Sequence, residues 1–330
     1  MNADAPKSSP AAADGDAAFH DLRRSLADGA FEPVANRPNT VRAIVLTLAG
    51  FGLTALLIHN AGDTASFGEV LRSRQDQLWG FFICTNLYVL FKGFALRTAS
   101  RCCSVETSTW RSARVFCESS LVGFVVAKIA ADVYKYARLG EGTRGDRVRA
   151  VLVYRISAIC GVLLLSAIVS VMWAERVPLG WLAWGVPVAV IAGIVAFYRS
   201  RVTVWVRDHG VYLLRVLPFS LLALAAKIAG LSVLLGVTLD GGVVEVAAAF
   251  LVIGSLASMT QVPAGLGTLD AGYAVFLTKY LGASGAETAA FLVALRLLGP
   301  VYVGLLGGTS MAATSLSRLR NRAPATTEPA

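Results

Sequence analysis

Six stretches, about 43–59, 78–96, 151–173, 178–198, 217–238 and 286–310, are predominantly apolar and close to the ~20 residues that one helix needs to cross a bilayer. Nothing else in the sequence limits the fold so strongly. A backbone placed in lipid finds no water to bond to, and a helix satisfies its N–H and C=O groups within the segment. Composition agrees, because 55% hydrophobic against 15% charged residues, with a mean hydropathy of +0.62, lies outside the range of ordinary soluble domains. The chain is therefore expected to be an all-α integral membrane protein.

Two further apolar regions are irregular. One, 114–139, carries Glu118, Lys128, Asp132 and Lys135; the other, 243–281, is interrupted by QVPAGLGTLDAGY at 261–273. The N-terminal side is different in kind. About forty polar residues precede the first apolar run, which is flanked by Arg37 and Arg42, so that run reads as its own insertion signal rather than as a cleavable leader. Residues 1–16, rich in Ala, Asp, Ser and Pro, read as disordered, and 17–31 could form a short amphipathic helix through Phe19, Leu22 and Leu26. The organisation expected is a cytoplasmic tail over 1–40, one transmembrane domain over 41–315, and a basic cytoplasmic tail over 316–330.

The formal charge of +9 does not point to nucleic acid, because the basic residues gather in short connections between apolar runs. Arg97, Arg101, Arg111 and Arg114 follow the second run, and Lys135, Arg138, Arg144, Arg147 and Arg149 precede 151–173. Arg199, Arg201, Arg207 and Arg215 lie between 178–198 and 217–238, and Arg318, Arg320 and Arg322 lie near the C-terminus. The connections 60–77, 174–177, 239–242 and 282–285 carry only Arg72, Arg74 and Arg176. The positive-inside rule then places the basic connections and both termini in the cytoplasm. That assignment holds only if each irregular region enters and leaves on one face. Six spans cross fully, and 114–139 and 243–281 are re-entrant hairpins opening to opposite sides.

The order span, span, hairpin, span over 43–173 then repeats over 178–310 with opposite orientation. Inverted repeats with broken helices are a design of secondary transporters, whose site lies where the breaks meet. Pro263 donates no backbone hydrogen bond, and Gly265 and Gly267 permit conformations closed to other residues, so PAGLG is expected to end one half-helix before another starts near Thr268. Asp270 then falls in a first turn, where a carboxylate complements the helix dipole whether or not it also serves transport.

The residues resemble the flippase-like transmembrane region of lysylphosphatidylglycerol synthases. The similarity lies in PAGLGTLD at 263–270 with LRLLGPVYVGLLGG at 295–308, and in DVYK at 132–135 with VYRISAICG at 153–161; it extends over roughly 43–315. Ala264 stands where the family has a glycine, Asp270 where it has glutamate, and the proline often found before the first hairpin's acidic residue is missing. No aminoacyl-transferase domain follows before Ala330, so the resemblance implies movement or binding of lipid rather than its aminoacylation.

Signs of an enzyme are missing from the sequence. There is no GxxxxGK[ST] phosphate loop, and GLGTLDAG lacks both the third glycine and the strand context of a dinucleotide fingerprint. His20, His59 and His209 have no metal-ligand spacing, and Asp208-His209-Gly210 reads as a solvated turn. Cys84, Cys102, Cys103, Cys117 and Cys160 read as packing residues or free thiols. No catalytic residue, metal or cofactor is expected.

The charges inside apolar segments are the candidate site: Arg155, Lys227 and Arg296 in spans, and Asp132, Lys135 and Asp270 on hairpins. Each costs on the order of 2.5–3.5 kcal/mol on insertion scales unless it meets a cavity or a partner. Asp132 precedes Arg155 by 23 positions and Asp270 precedes Arg296 by 26, so one reading is two buried ion pairs that pin the hairpins. The other is a headgroup or coupling-ion role for some members. Lys92, near one end of its span, reads as snorkelling. The function expected is flippase-like movement of a lipid with a phosphate-bearing or zwitterionic headgroup across the inner or plasma membrane, not driven by ATP. The alternatives are a small-solute or ion transporter of the same design and a non-transporting scaffold that partners a lipid-synthesis enzyme.

Overall fold

In the computed structural model, residues 72–125, 128–173, 199–236, 242–259 and 268–322 are described, together with residues 69, 70 and 189. They belong to one compact unit, Ala43–Ala330. The spans expected at 43–59 and 178–198, and the break at Pro263, Gly265 and Gly267, lie outside the described residues.

Every described element is helical: α1 (Gln75–Cys102), α2 (Thr109–Val125), α3 (Lys128–Arg138), α4 (Arg144–Trp173), α5 (Arg199–Leu235), α6 (Gly242–Met259), α7 (Thr268–Val275), α8 (Gly285–Arg296) and α9 (Tyr302–Arg322). Among the described residues no strand forms, and a single antiparallel bridge joins Glu106 to Glu141. Four stretches are long and apolar enough to cross a membrane: Gln75–Cys102, Arg144–Val169, His209–Leu235 and Gly285–Ser315. This is the architecture of a membrane protein.

On α1 the physics is direct. Phe81, Thr85, Val89, Lys92, Leu96 and Ala99 recur at three and four residues and are buried, while Trp79, Ile83, Leu87 and Leu90 on other faces are exposed. A helix with apolar side chains on its exposed face as well suits lipid on one side and protein on the other. Its buried face packs most extensively on α5, and the register is antiparallel. A Cβ on Gly80 would meet Val233, one on Gly230 would meet Cys84 and Phe81, and the Phe94 and Phe219 rings lie 5.8 Å apart. Small residues let the two backbones approach, as is usual between membrane helices.

The irregular regions form helix pairs. α2 and α3 pack together, with Gly123 close against Ala131, and α6 packs on α7, with Gly272 against Ile253. The order helix, helix pair, helix thus occurs over α1–α4 and again from α5 to α9.

Two expectations are corrected. The connection 199–215 is not a loop: α5 is 37 residues long and runs through Pro218, so Asp208, His209 and Gly210 lie on a helix and not in a turn. At 1.5 Å per residue α5 is about 55 Å long, well beyond the ~30 Å of a hydrocarbon core, and its basic first turns extend past the span. The last span, expected at 286–310, falls within Gly285–Ser315, which is long and apolar enough to cross, and it carries an irregularity. After Arg296 it widens into a π-helical turn, Leu297–Val301, where Gly299 (φ −100°, ψ −106°) leaves the helical region and Pro300 follows. The second correction concerns Lys92 and belongs to the site.

Candidate functional site

The charge clusters of the two helix pairs are built alike but buried differently. In the first, Lys135 Nζ donates to Asp132 Oδ1 at 2.9 Å and Arg155 Nη1 donates to Asp132 Oδ2. Lys135 comes one turn after Asp132 on α3, and Arg155 comes from α4. The Asp132 and Arg155 side chains remain 22% and 45% exposed. In the second, Arg296 at the end of α8 grips Asp270 in the first turn of α7 with a two-pronged fork. Nε donates to Oδ1 and Nη2 to Oδ2, each at 2.8 Å. Here the side chains are 11% and 0% exposed, so nearly all the attraction acts away from water.

Lys227 joins neither pair. Its Nζ sits 5.2 Å from the centre of the Phe81 ring and 6.0 Å from that of Tyr88, within reach of Arg296's positive charge. The off-helix backbone at Gly299 faces it: a Cβ there would lie 3.6 Å from Lys227 Nζ. Non-helical backbone within a span is tolerated where it is buried in protein or lines a cavity.

Lys92 does not snorkel. Ten residues, about 15 Å of helix, separate it from the end of α1, and it is 8% exposed. Its Nζ lies 5.8 Å from the centre of the Tyr88 ring and 5.6 Å from that of Tyr154, and the far side of the chain continues with Lys135 Nζ, 5.4 Å from Tyr154. The result is an alternation of ring and cation: Phe81, Lys227, Tyr88, Lys92, Tyr154, Lys135, and finally Asp132 with Arg155. Sequence reasoning missed Lys92, Tyr88 and Tyr154. The available signal was Phe81, Tyr88 and Lys92 at spacings of seven and four, which puts all three on one helical face.

Magnitudes show the imbalance. A desolvated cation–π contact contributes about 0.5–2 kcal/mol, against an insertion cost on the order of 2.5–3.5 kcal/mol for each lysine. Among the described residues no carboxylate lies in salt-bridge range of Lys92 or Lys227. Lys92, Lys135, Arg155, Lys227 and Arg296 are thus five formal cations set against Asp132 and Asp270. The arrangement attracts an anion.

Glu118, by contrast, is satisfied. It accepts from Arg114 Nε at 2.9 Å, Tyr134 Oη at 2.8 Å and Ser310 Oγ at 2.7 Å, which ties both helices of the first pair to α9. Backbone contact reinforces the tie, since a Cβ on Gly307 would lie 2.5 Å from the Cys117 carbonyl. A separate cleft lies between the start of α1, the end of α5 and the start of α8. It is lined by Arg74, Leu78, Leu235, Leu281, Glu287 and Phe291 and crossed by the Arg74–Glu287 ion pair at 2.9 Å. No residue of the ring–cation chain lines it. Among the described residues no three His, Cys, Asp or Glu side chains gather as a metal site. The sequence matches no protein-family model and no curated protein.

Proposed function

We propose that this chain is a multi-pass transporter of the inner or plasma membrane that moves a lipid with a phosphate-bearing or zwitterionic headgroup between leaflets. Six spans and two re-entrant hairpins form an inverted repeat, with both termini in the cytoplasm. The resemblance to the flippase-like region of lysylphosphatidylglycerol synthases supports the reading. So does the antiparallel packing of α1 on α5, the expectation for matching helices of oppositely oriented halves. The observation that carries it is the repeated ion pair between a hairpin and its following helix, Asp132 with Arg155 and Asp270 with Arg296, with uncompensated cations between the two. Pins hold each hairpin in place, and the surplus positive charge draws in the headgroup while acyl chains stay in the bilayer. With no nucleotide site in the sequence, a gradient or the lipid's own concentration difference drives movement.

The test is transfer of fluorescent phospholipid between leaflets of vesicles reconstituted with the full chain, without nucleotide. Wild type is expected to transfer, and Lys227→Met to lose transfer while melting at the wild-type temperature, because methionine keeps the apolar stem and removes only the charge. Folded wild type that leaves lipid at the rate of protein-free vesicles, with and without an imposed ion gradient, overturns the proposal. Uptake of a water-soluble anion instead would favour the small-solute transporter, and neither activity, with an enzyme of lipid synthesis co-purifying, would favour the scaffold.

A further inference from the structure

We propose that Lys92 and Lys227 together form one anion-binding site for a phosphate group, placed where α1 crosses α5. Only the source of that phosphate, a lipid headgroup, rests on the transporter reading; the site itself rests on the geometry.

Both ammonium groups stand within about 6 Å of the same ring, Tyr88, one toward Phe81 and the other toward Tyr154. Neither has a carboxylate partner among the described residues, and Lys92 is more than nine-tenths buried. Two like-charged groups gathered at one ring, Lys92 buried and Lys227 partly so, are costly without a counter-anion.

The placement is matched across the repeat. Each lysine lies on the helix that precedes a helix pair, and each pair is followed by the helix carrying its arginine, so Lys92, Asp132 and Arg155 correspond to Lys227, Asp270 and Arg296. The contacts of Gly80 with Val233, Cys84 with Gly230 and Phe94 with Phe219 bring Val89 level with Leu224, and the lysines lie three residues beyond these on their respective helices. The two charges therefore stand on either side of that level, one donated by each half. A phosphate ester, with up to two charges and several acceptor oxygens, balances two ammonium groups more fully than a singly charged carboxylate. The fork of Arg296 is already engaged by Asp270, which leaves the lysines to take the ligand.

The experiment uses the purified full chain in an uncharged maltoside detergent, titrated by calorimetry with dioctanoyl phosphatidic acid, dioctanoylglycerol, laurate and inorganic phosphate. Dioctanoyl phosphatidic acid is expected to bind at least about tenfold more tightly than dioctanoylglycerol or laurate, and Lys92→Met and Lys227→Met are each expected to weaken it by about tenfold, the order of one charge-assisted contact. Lys92→Arg and Lys227→Arg should stay close to wild type. Should a methionine variant fail to fold, Lys92→Gln and Lys227→Gln take its place with the same weakening expected, and the wild type decides in any case: dioctanoyl phosphatidic acid bound no more tightly than dioctanoylglycerol overturns the site. Unweakened binding by a folded double variant overturns it as well. Inorganic phosphate bound as tightly as the amphiphile sustains the anion site and overturns the lipid source. A chain that binds the amphiphile at these lysines but moves no labelled lipid keeps the site and loses the transporter reading.

Discussion

Asp270 and Asp132 carry the same chemistry in different solvents, and that difference decides what each ion pair contributes. Asp270 is fully buried under a bidentate arginine, so Asp270→Asn or Arg296→Met strands a buried partner charge and should cost roughly 3–5 kcal/mol. Arg155→Met removes a nearly half-exposed partner and leaves Asp132 its bond to Lys135, and should cost no more than about 1 kcal/mol. Denaturation of the purified variants in mixed micelles checks the order, and equal losses at the two sites would contradict it. Both pairs were legible in the sequence from their spacing of 23 and 26 residues. Lys92 was not. Its apparent closeness to a span end suggested a route to water, whereas the packed α4 and α5 surround it with Tyr154 and the helix crossing.

At the scale of elements, glycines mark where backbones touch. Gly307 on α9 faces the Cys117 carbonyl with no room for a methyl group, and Gly93 on α1 is similarly close to the Ala113 backbone. Gly210 on α5 has nothing within 4 Å of a Cβ position. Gly307→Ala should therefore lower the melting temperature by forcing α9 away from α2 and stretching the Ser310–Glu118 bond. Gly210→Ala should raise stability, by about 0.5–1 kcal/mol, through the lower flexibility of alanine in the unfolded chain. A thermal-shift comparison that moved both in one direction would refute the packing argument. The last span was legible as an apolar run, but the π turn after Arg296 was not. Gly299-Pro300 is compatible with a kinked, a broken or a continuous membrane helix, and neighbouring groups decide which.

For the whole molecule the proposed topology makes one decisive prediction. Single cysteines at Thr203 and Thr64, in a background without native cysteines, should label from opposite sides of the membrane, Thr203 from the cytoplasm. Labelling of both from one side would overturn the charge-based topology. Among the native thiols, Cys103 sits just beyond α1, where burial, with the Cys102 thiol beside it, pushes its pKa up to about 11. It should react with maleimide slowly at neutral pH and faster as pH rises, which a stopped time course on the wild-type chain can follow.

The sequence by itself determined that this is a helical membrane protein, since runs of about 20 apolar residues leave the backbone one local way to satisfy its hydrogen bonds. It also offered, as one of two readings, the pairing of Asp270 with Arg296 and of Asp132 with Arg155 as the economical fate of charges placed among such runs. Those constraints act along the chain or penalise a residue whatever its neighbours. Only the tertiary structure decided that Lys92 and Lys227 share the Tyr88 ring, that Glu118 fastens the first helix pair to α9, and that Gly299 bends backbone toward an ammonium group. Apolar helices are interchangeable in hydropathy, so which face meets which is set by the close fit of small residues and by a few polar contacts between segments far apart in the chain.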